Sequence, residues 1–240
     1  MSLRMRRAPV CAAASGGAGK ITESCGTAES GRGRDRLASW EHGVMLDDVA
    51  KAHLHEHLRW VREALVWKLD GLSEYDIRRP LTLTGTNLLG LVKHNAIWDS
   101  RYFGEVFGRP FPEPIPRWDD PAMSGHDHWA TAAETRAEII DLYGRVWNHS
   151  DATIDALALD TMGYVPWWQE EVPLFNVMVH RLSDATRHAG HADILREGLD
   201  GSVGVNADSP PGYGRDASFW DARRATIEEA ALAADRSTSG

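Results

Sequence analysis

From residue 45 onward, apolar residues recur every three or four positions in four long segments, separated by glycine, proline and polar clusters. This spacing places apolar side chains on one face of an α-helix. The four predicted helices cover residues 46–69, 87–107, 131–149 and 173–199. Gly71 follows the first as a stop signal, and Thr131 with Glu134 forms a capping box for the third. Four amphipathic helices predict an all-α fold, a four-helix bundle.

Two long loops, residues 110–130 and 157–172, separate the predicted helices and indicate crossover connections that cover one end of the bundle. Pro173 is expected at the first position of the fourth helix. A shorter amphipathic helix over residues 218–234, capped by Ser218, is predicted to pack on the bundle as an accessory element. Strands are scarcely indicated.

These elements define three segments. Residues 1–44 are predicted to be a disordered N-terminal extension, residues 45–200 the bundle, and residues 201–240 a C-terminal extension with the short helix. Cys11 and Cys25 both lie in the first segment, so the predicted core has no thiol, which is typical of a cytoplasmic protein. An alternative interpretation of the first segment is that the native protein begins near Met45.

Charge and hydropathy exclude two classes of partner. The formal net charge is -9, and no run of Lys and Arg occurs in the predicted bundle, which argues against nucleic acid. No apolar stretch approaches the roughly 18 to 20 residues that span a bilayer. A small-molecule substrate is therefore expected, and a homodimer is a further expectation.

Two inward-facing side chains, Asp184 and His188, indicate a metal site that a third ligand from another helix would complete. Asp184 and His188 lie one turn apart on the fourth predicted helix, on the side that carries Val177 and Leu195, and His94 lies inside the strongly apolar second helix. A carboxylate and an imidazole in an apolar interior cost several kcal/mol unless they are paired, and a divalent cation pairs with both. This ligand set suits zinc first, and also nickel, iron or manganese.

Other roles for these residues remain open. Asp184 is alternatively a salt-bridge partner of Arg181 or Arg187. His191, three residues after His188, is an alternative ligand or supports the ligands from outside, and His180 is a weaker alternative of the same kind.

The remaining histidines and tryptophans carry less information. His53, His55 and His57 alternate along the first helix, cannot all converge on one ion, and are expected at the surface. The loop pair His126 and His128 is interpreted as a lid or a second site. The paired tryptophans of the second loop, Trp167 and Trp168, shield the pocket or anchor the loop.

Two runs of the chain resemble a known family. One extends from Thr84 to Pro110 and includes the stretch Asn87-Leu88-Leu89-Gly90-Leu91-Val92-Lys93-His94. The other is Arg187-His188-Ala189-Gly190-His191-Ala192-Asp193-Ile194-Leu195-Arg196-Glu197. They are similar to the second and fourth helices of actinobacterial DinB-like proteins, and the resemblance covers about residues 46–200. The superfamily includes mycothiol-dependent maleylpyruvate isomerase and bacillithiol transferases.

The resemblance implies a DinB-like four-helix bundle with a divalent metal held by His94, Asp184 and His188. Asp184 departs from the pattern, because the isomerase branch usually has Glu and other branches have His there. Trp98 and Tyr102, one and two turns after His94, are expected to line the pocket.

The function that these expectations imply is metal-dependent thiol chemistry. A metal with two imidazoles and one carboxylate activates a bound nucleophile, and the resemblance implies mycothiol as that nucleophile, in an S-transferase or isomerase reaction. Two alternatives remain: a metal-dependent hydrolase that activates water, and a non-catalytic binding or dimerisation module. No phosphate loop, dinucleotide turn or nucleophile elbow indicates another enzyme class.

Overall fold

The computed structural model describes residues 32–121, 125–209 and 211–238, with side chains from Asp47 onward. Most of the predicted N-terminal extension, including both cysteines, lies outside the described residues. The described part of residues 44–240 forms one compact unit. Among the described helices, none is long and apolar enough to cross a membrane.

The described chain is mostly helical, as predicted. The α-helices, in chain order, are α1 (Arg32–Trp67), α2 (Glu74–Arg78), α3 (Leu88–Tyr102), α4 (Arg136–Ala156), α5 (Leu174–Asp200) and α6 (Ala217–Thr238). Short 3-10 turns occur at Glu105–Phe107, His126–His128 and Pro211–Gly214. Helix α3 packs against both α4 and α5, so it is central to the unit.

A small antiparallel sheet occupies the segment that the sequence predicts as a loop. Strand β1 (Met162–Val165) pairs with β2 (Glu170–Pro173), in a register that sets Gly163 opposite Val172. Gly163 packs so closely on Phe107 that a side chain at this position would collide with its ring. Strands of four residues are too short to show a clear periodicity, and the contact with Phe107 is tertiary. The sequence therefore does not predict the hairpin.

The start of α4 differs from the predicted one. Thr135 and Glu138 form the capping box, and the helix begins at Arg136. Thr131 and Thr135 each precede a glutamate by three residues, and in both pairs the threonine amide donates to the glutamate carboxylate. The Thr131 amide donates to Glu134 Oε2 at 2.8 Å, but this earlier pair closes only a turn.

Three further helix ends need correction. Helix α1 begins at Arg32, not at residue 46, and so includes part of the predicted N-terminal extension. Pro173 is the N-cap of α5 and also ends β2, so it is not the first helical residue. Asp216 rather than Ser218 caps α6, because its carboxylate accepts the Phe219 amide at 2.9 Å.

Helix α6 does not pack as an accessory element. Almost all of its described side chains are exposed, including Ile227 and Leu232, and Trp220 is only half-buried. The Trp220 indole donates to the Gly212 carbonyl at 2.9 Å, so its contact is with the preceding turn. The prediction that this helix packs on the bundle is therefore wrong.

The interior contains two apolar clusters. The first consists mainly of Leu65, Leu69, Leu88, Val92, Ile139 and Tyr143, and the second of Leu58, Phe103, Ile154, Val165, Val177 and Met178. Along each of α1, α3 and α5, a buried charged residue of one ion-pair network lies between the members of the two clusters. These residues are Arg62, Asp99 and Arg181, each at most 2% exposed.

The three charged residues form a continuous ion-pair network. Asp99 accepts the Arg62 Nε–H at 3.1 Å on one oxygen and the Arg181 Nε–H at 2.8 Å on the other. Arg62 also donates to Asp151 of α4 at 2.8 Å, so the network joins all four long helices of the interior. Each guanidinium is thereby taken out of water with a carboxylate partner, as buried charges require.

His55 belongs to this network and corrects another expectation. Its side chain is buried, and its Nε2 lies 2.9 Å from Asp151 Oδ1. The sequence predicted that His55 lies at the surface with His53 and His57. The spacing of residues along α1 cannot show that the Asp151 carboxylate of α4 packs against it.

We expect Asp99→Asn to lower the free energy of unfolding by about 3 to 5 kcal/mol, because it removes the buried carboxylate that Arg62 and Arg181 share and leaves each guanidinium with one partly exposed carboxylate partner. Urea titration followed by circular dichroism measures this loss. Arg59→Ala is the matched control, since Arg59 is half-exposed and binds Asp151 at the rim of the same network. It should cost no more than about 1 kcal/mol. Equal, small losses in both variants would contradict the structural role of Asp99.

Candidate metal centre

The structure brings together the three side chains that the sequence predicts as metal ligands. His94 lies in the middle of α3, and Asp184 and His188 lie one turn apart on α5, which packs against α3. One potential ligand atom from each residue falls within 4.8 Å of the others. The His94 and His188 side chains are 12% and 14% exposed and Asp184 is 32% exposed, so the cluster is partly open to solvent.

The spacing within the cluster suits a cation better than direct contact. Asp184 Oδ1 lies 3.6 Å from His188 Nε2, which is too long for a hydrogen bond. Two ligands of a tetrahedral ion at about 2.1 Å each are about 3.4 Å apart. The separation of His188 Nε2 from Asp184 Oδ1 and the nitrogen and oxygen donors present therefore fit a metal ion. The other ring nitrogen of His188, Nδ1, is buried and has no hydrogen-bond partner among the described residues.

The protonation states of the cluster also fit metal binding. Burial lowers the pKa of His188, and the neighbouring His94 lowers it further, which favours the neutral imidazole. Burial alone would raise the pKa of Asp184, but neighbouring positive charge, that of Arg181 first, outweighs it, and the pKa lies below its ordinary value. A neutral imidazole and a carboxylate are the forms in which these residues bind metals.

Asp184 also forms the salt bridge that was the alternative interpretation. Arg181 Nη1 donates to Asp184 Oδ2 at 2.6 Å, while Arg187 is exposed. The two roles use different oxygens, because Oδ1 is the one that lies near His188. Arg181 thus connects the candidate site to the buried network through Asp99.

A second group of potential ligands comprises His94, Asp127 and His128. His94 Nδ1 and Asp127 Oδ2 are only 2.7 Å apart, a hydrogen-bond distance that is too short for two ligands of one ion. Burial would raise the pKa of Asp127, but its bonds with His94 and Trp98 lower it well below the usual range. Asp127 is therefore an ionised hydrogen-bond partner of His94. Sequence patterns do not predict this role, because Asp127 lies in a loop without periodicity, and its contact with His94 depends on how the loop packs on α3.

The turn that carries Asp127 is fastened to α3. The Asn87 side-chain amide donates to the His128 carbonyl at 3.2 Å, and the Lys93 ammonium donates to the Trp129 carbonyl at 3.0 Å. Gly90 lies directly beneath the His128 carbonyl, where a Cβ atom would collide with it. Because glycine has only a hydrogen atom in place of a side chain, the loop backbone can approach α3 closely at this position.

The loop histidines lie at different distances from the site. The His128 ring stacks on the His94 ring, with centroids 4.2 Å apart, and its side chain is about half-exposed. His126 contacts the Trp129 ring and belongs to neither candidate group. Their roles as a lid or a second site stay predictions.

The alternative ligands His191 and His180 belong to neither candidate group. The exposed His191 has its ring 5.9 Å from that of His188. His180 contacts the rings of Tyr102 and Trp168, 5.0 and 4.7 Å away, and burial lowers its pKa. His180 is therefore part of an aromatic cluster.

Trp98 and Tyr102 have polar contacts that the sequence did not predict. The Trp98 indole donates to Asp127 Oδ2 at 3.0 Å. The Tyr102 hydroxyl accepts the Trp167 indole N–H at 2.8 Å, and burial raises the Tyr102 pKa to about 12, so the phenol stays neutral. The Trp167 bond anchors the hairpin to α3.

A cavity of about 650 Å³ opens beside the cluster. Its lining includes His188 and His191 of α5, Asn87 and Leu91 at the start of α3, and His128 and Trp129 of the loop. Its volume is within the usual range for small-ligand pockets, about 300 to 1,000 Å³. A larger and more open groove of about 1120 Å³ lies between α2 and α4, contains none of these histidines, and shares only Arg78 with the cavity. Neither Trp98 nor Tyr102 lines the smaller cavity.

Comparison with models of known protein families gives a match. A family model described as mycothiol-S-transferase matches residues 53–201, which is more than half of the chain and includes the whole cluster. This family belongs to the DinB-like superfamily, so the resemblance noted in the sequence is confirmed. A search of curated proteins gives no match.

We expect Gly90→Ala to destabilise the protein by about 1 to 3 kcal/mol, because the added methyl group displaces the His128 carbonyl. Gly144→Ala is the matched control: it also lies inside a helix, with nothing within 4 Å of a new Cβ. That substitution should stabilise the protein by about 0.5 to 1 kcal/mol. Thermal unfolding of the two variants compares them directly, and a gain of stability in Gly90→Ala would contradict the close approach of loop and helix.

Proposed function

Because the chain belongs to the mycothiol-S-transferase family, we propose that it is a divalent-metal-dependent enzyme that transfers a low-molecular-weight thiol to an electrophilic small molecule. The observation that carries the proposal is the convergence of His94, Asp184 and His188 beside a cavity of ligand size. The proposal includes a four-helix bundle of α1, α3, α4 and α5 as the scaffold.

The proposed ligands are two neutral imidazoles and one carboxylate. This set favours zinc and also accommodates nickel, iron or manganese. A divalent cation held there supplies Lewis acidity, which favours the thiolate form of a thiol close to it. Three protein ligands leave coordination open, as in catalytic rather than structural sites.

The family name points to mycothiol as the thiol, and the distribution of cysteines supports an external thiol. No cysteine occurs after Cys25 in the sequence, so residues 53–201 contain no nucleophilic sulfur of their own. In the proposed reaction the thiol S–H loses its proton and a sulfur–carbon bond forms to the electrophile. The leaving group then departs with its bonding electrons, or, in an addition, the adjacent carbon takes up a proton.

The protein contributes position and polarity. His188 brings its imidazole to the cavity wall, and Arg181 holds the Asp184 carboxylate in place. Asn87, His128 and His191 provide polar groups around the cavity for the hydrophilic part of the thiol.

We expect the purified protein to bind about one divalent ion per chain, and to lose it in His94→Ala and Asp184→Ala. His191→Ala, on the same cavity wall but outside the ligand group, should retain the ion. Elemental mass spectrometry measures the content after reconstitution with zinc, nickel, iron or manganese. Metal lost only in His94→Ala and His191→Ala would replace Asp184 by His191 as the third ligand. No metal in the wild-type protein would overturn the proposal.

The reaction type is tested with mycothiol and a chromogenic electrophile, such as an aryl halide. We expect metal-dependent consumption of both reactants and a thioether product, detected by mass spectrometry. Thiol that is regenerated while an unsaturated substrate isomerises would indicate an isomerase instead. Turnover of an ester that needs the metal but no thiol would indicate a hydrolase.

A further inference from the structure

Asp127 makes two hydrogen bonds through one carboxylate oxygen. Its Oδ2 lies 2.7 Å from His94 Nδ1 and accepts the Trp98 indole N–H at 3.0 Å. The residue is buried, although it belongs to a loop turn rather than to a long helix. The indole N–H can only donate, so Asp127 Oδ2 is an acceptor in the second bond, and with the same acceptor role in the first bond the proton resides on His94 Nδ1.

This contact is built by several elements, so it is not a chance approach of a flexible side chain. The His126–His128 turn is held on α3 by Asn87 and Lys93, and Gly90 permits the close backbone approach. Lys93 also pairs with Glu134 at 2.7 Å, which fastens the following segment to the same helix. Asp127 is thereby brought to His94 with its backbone already fixed.

We propose that Asp127 is a positioning residue that holds His94 in the tautomer with the proton on Nδ1, which leaves Nε2 as the nitrogen that binds the metal. This inference rests on the proposed function, since it assigns His94 as a ligand. The Trp98 indole contributes to this positioning, because its N–H donates to the same Asp127 oxygen and so fixes the orientation of the carboxylate.

Two consequences follow from a carboxylate behind a ligating imidazole. It fixes the ring orientation, and it increases the basicity of the ligating nitrogen. Loss of such a partner typically weakens metal affinity by about 10- to 100-fold. Because Asp127 comes from the loop and His94 from the helix, metal binding and docking of the turn must also stabilise each other.

Nitrogen-15 NMR of the metal-free protein tests the tautomer directly. In the wild type we expect the His94 imidazole to be protonated at Nδ1, with Nε2 unprotonated. Asp127→Asn retains a side-chain oxygen that accepts the same hydrogen bond, so this tautomer should persist. Asp127→Ala removes the acceptor, and the ring should shift to the other tautomer or to a mixture. A wild-type His94 with its proton on Nε2 would overturn the inference.

Zinc affinity, measured by competition with a chromophoric chelator, gives the second readout. We expect Asp127→Ala to bind zinc about 10- to 100-fold more weakly and Asp127→Asn to fall between it and the wild type. Asp119→Asn is the matched control, since this exposed loop carboxylate pairs only with Arg117 in the described contacts, and it should bind like the wild type. Unchanged affinity in Asp127→Ala would overturn the proposal.

The two readouts separate this inference from the proposed function. If the wild type binds no metal, the proposed function fails, and with it the role of Asp127 at a metal, whatever the tautomer. If the wild type binds metal through His94 and Asp127→Ala binds it equally well, the function stands and only the positioning role is wrong. Trp98→Phe keeps an aromatic ring but removes the indole N–H, and should weaken zinc binding less than Asp127→Ala does.

Discussion

The Asp99 carboxylate between two buried guanidinium groups is the contact on which the other packing depends. Arg62, Asp99 and Arg181 come from α1, α3 and α5, so a single acidic group fixes the relative positions of three helices. Arg181 also donates to the Asn95 amide oxygen at 3.1 Å, which adds a second bond to α3. The two apolar clusters supply burial, but apolar contacts alone tolerate sliding, whereas charged hydrogen bonds specify a register.

The same network sets the position of the candidate ligand Asp184. Arg181 binds one Asp184 oxygen and leaves the other close to His188. Aspartate is shorter than the glutamate usual in the isomerase branch, so a change of rotamer moves its carboxylate over a smaller range of positions. The arginine compensates by fixing the carboxylate from behind. Because Asp99 fixes Arg181 in turn, the geometry at the cavity wall depends on a contact in the middle of the interior.

The sequence predicted the parts of the site that lie on helices and missed the part that lies on a loop. His94 and the pair Asp184 and His188 were identified because helical spacing and two family motifs place them on α3 and α5. Asp127 carries no such signal, since its position depends on the approach of the turn to Gly90. His55 was misplaced for the same reason: its carboxylate partner comes from a different helix. Local patterns report a helix face but do not report what packs against it.

The charges around the candidate ligands are compatible with the anionic nucleophile of the proposed function. Arg181 pairs with Asp184 on one side of the cluster, and Asp127 pairs with His94 on the other, so one positive and one negative group lie just outside the ligands. If the candidate site holds a divalent cation, the Asp184 carboxylate neutralises only half of its charge, and about one positive charge remains at the cavity. A thiolate is a suitable anion to balance that charge, which agrees with the thiol transfer proposed above.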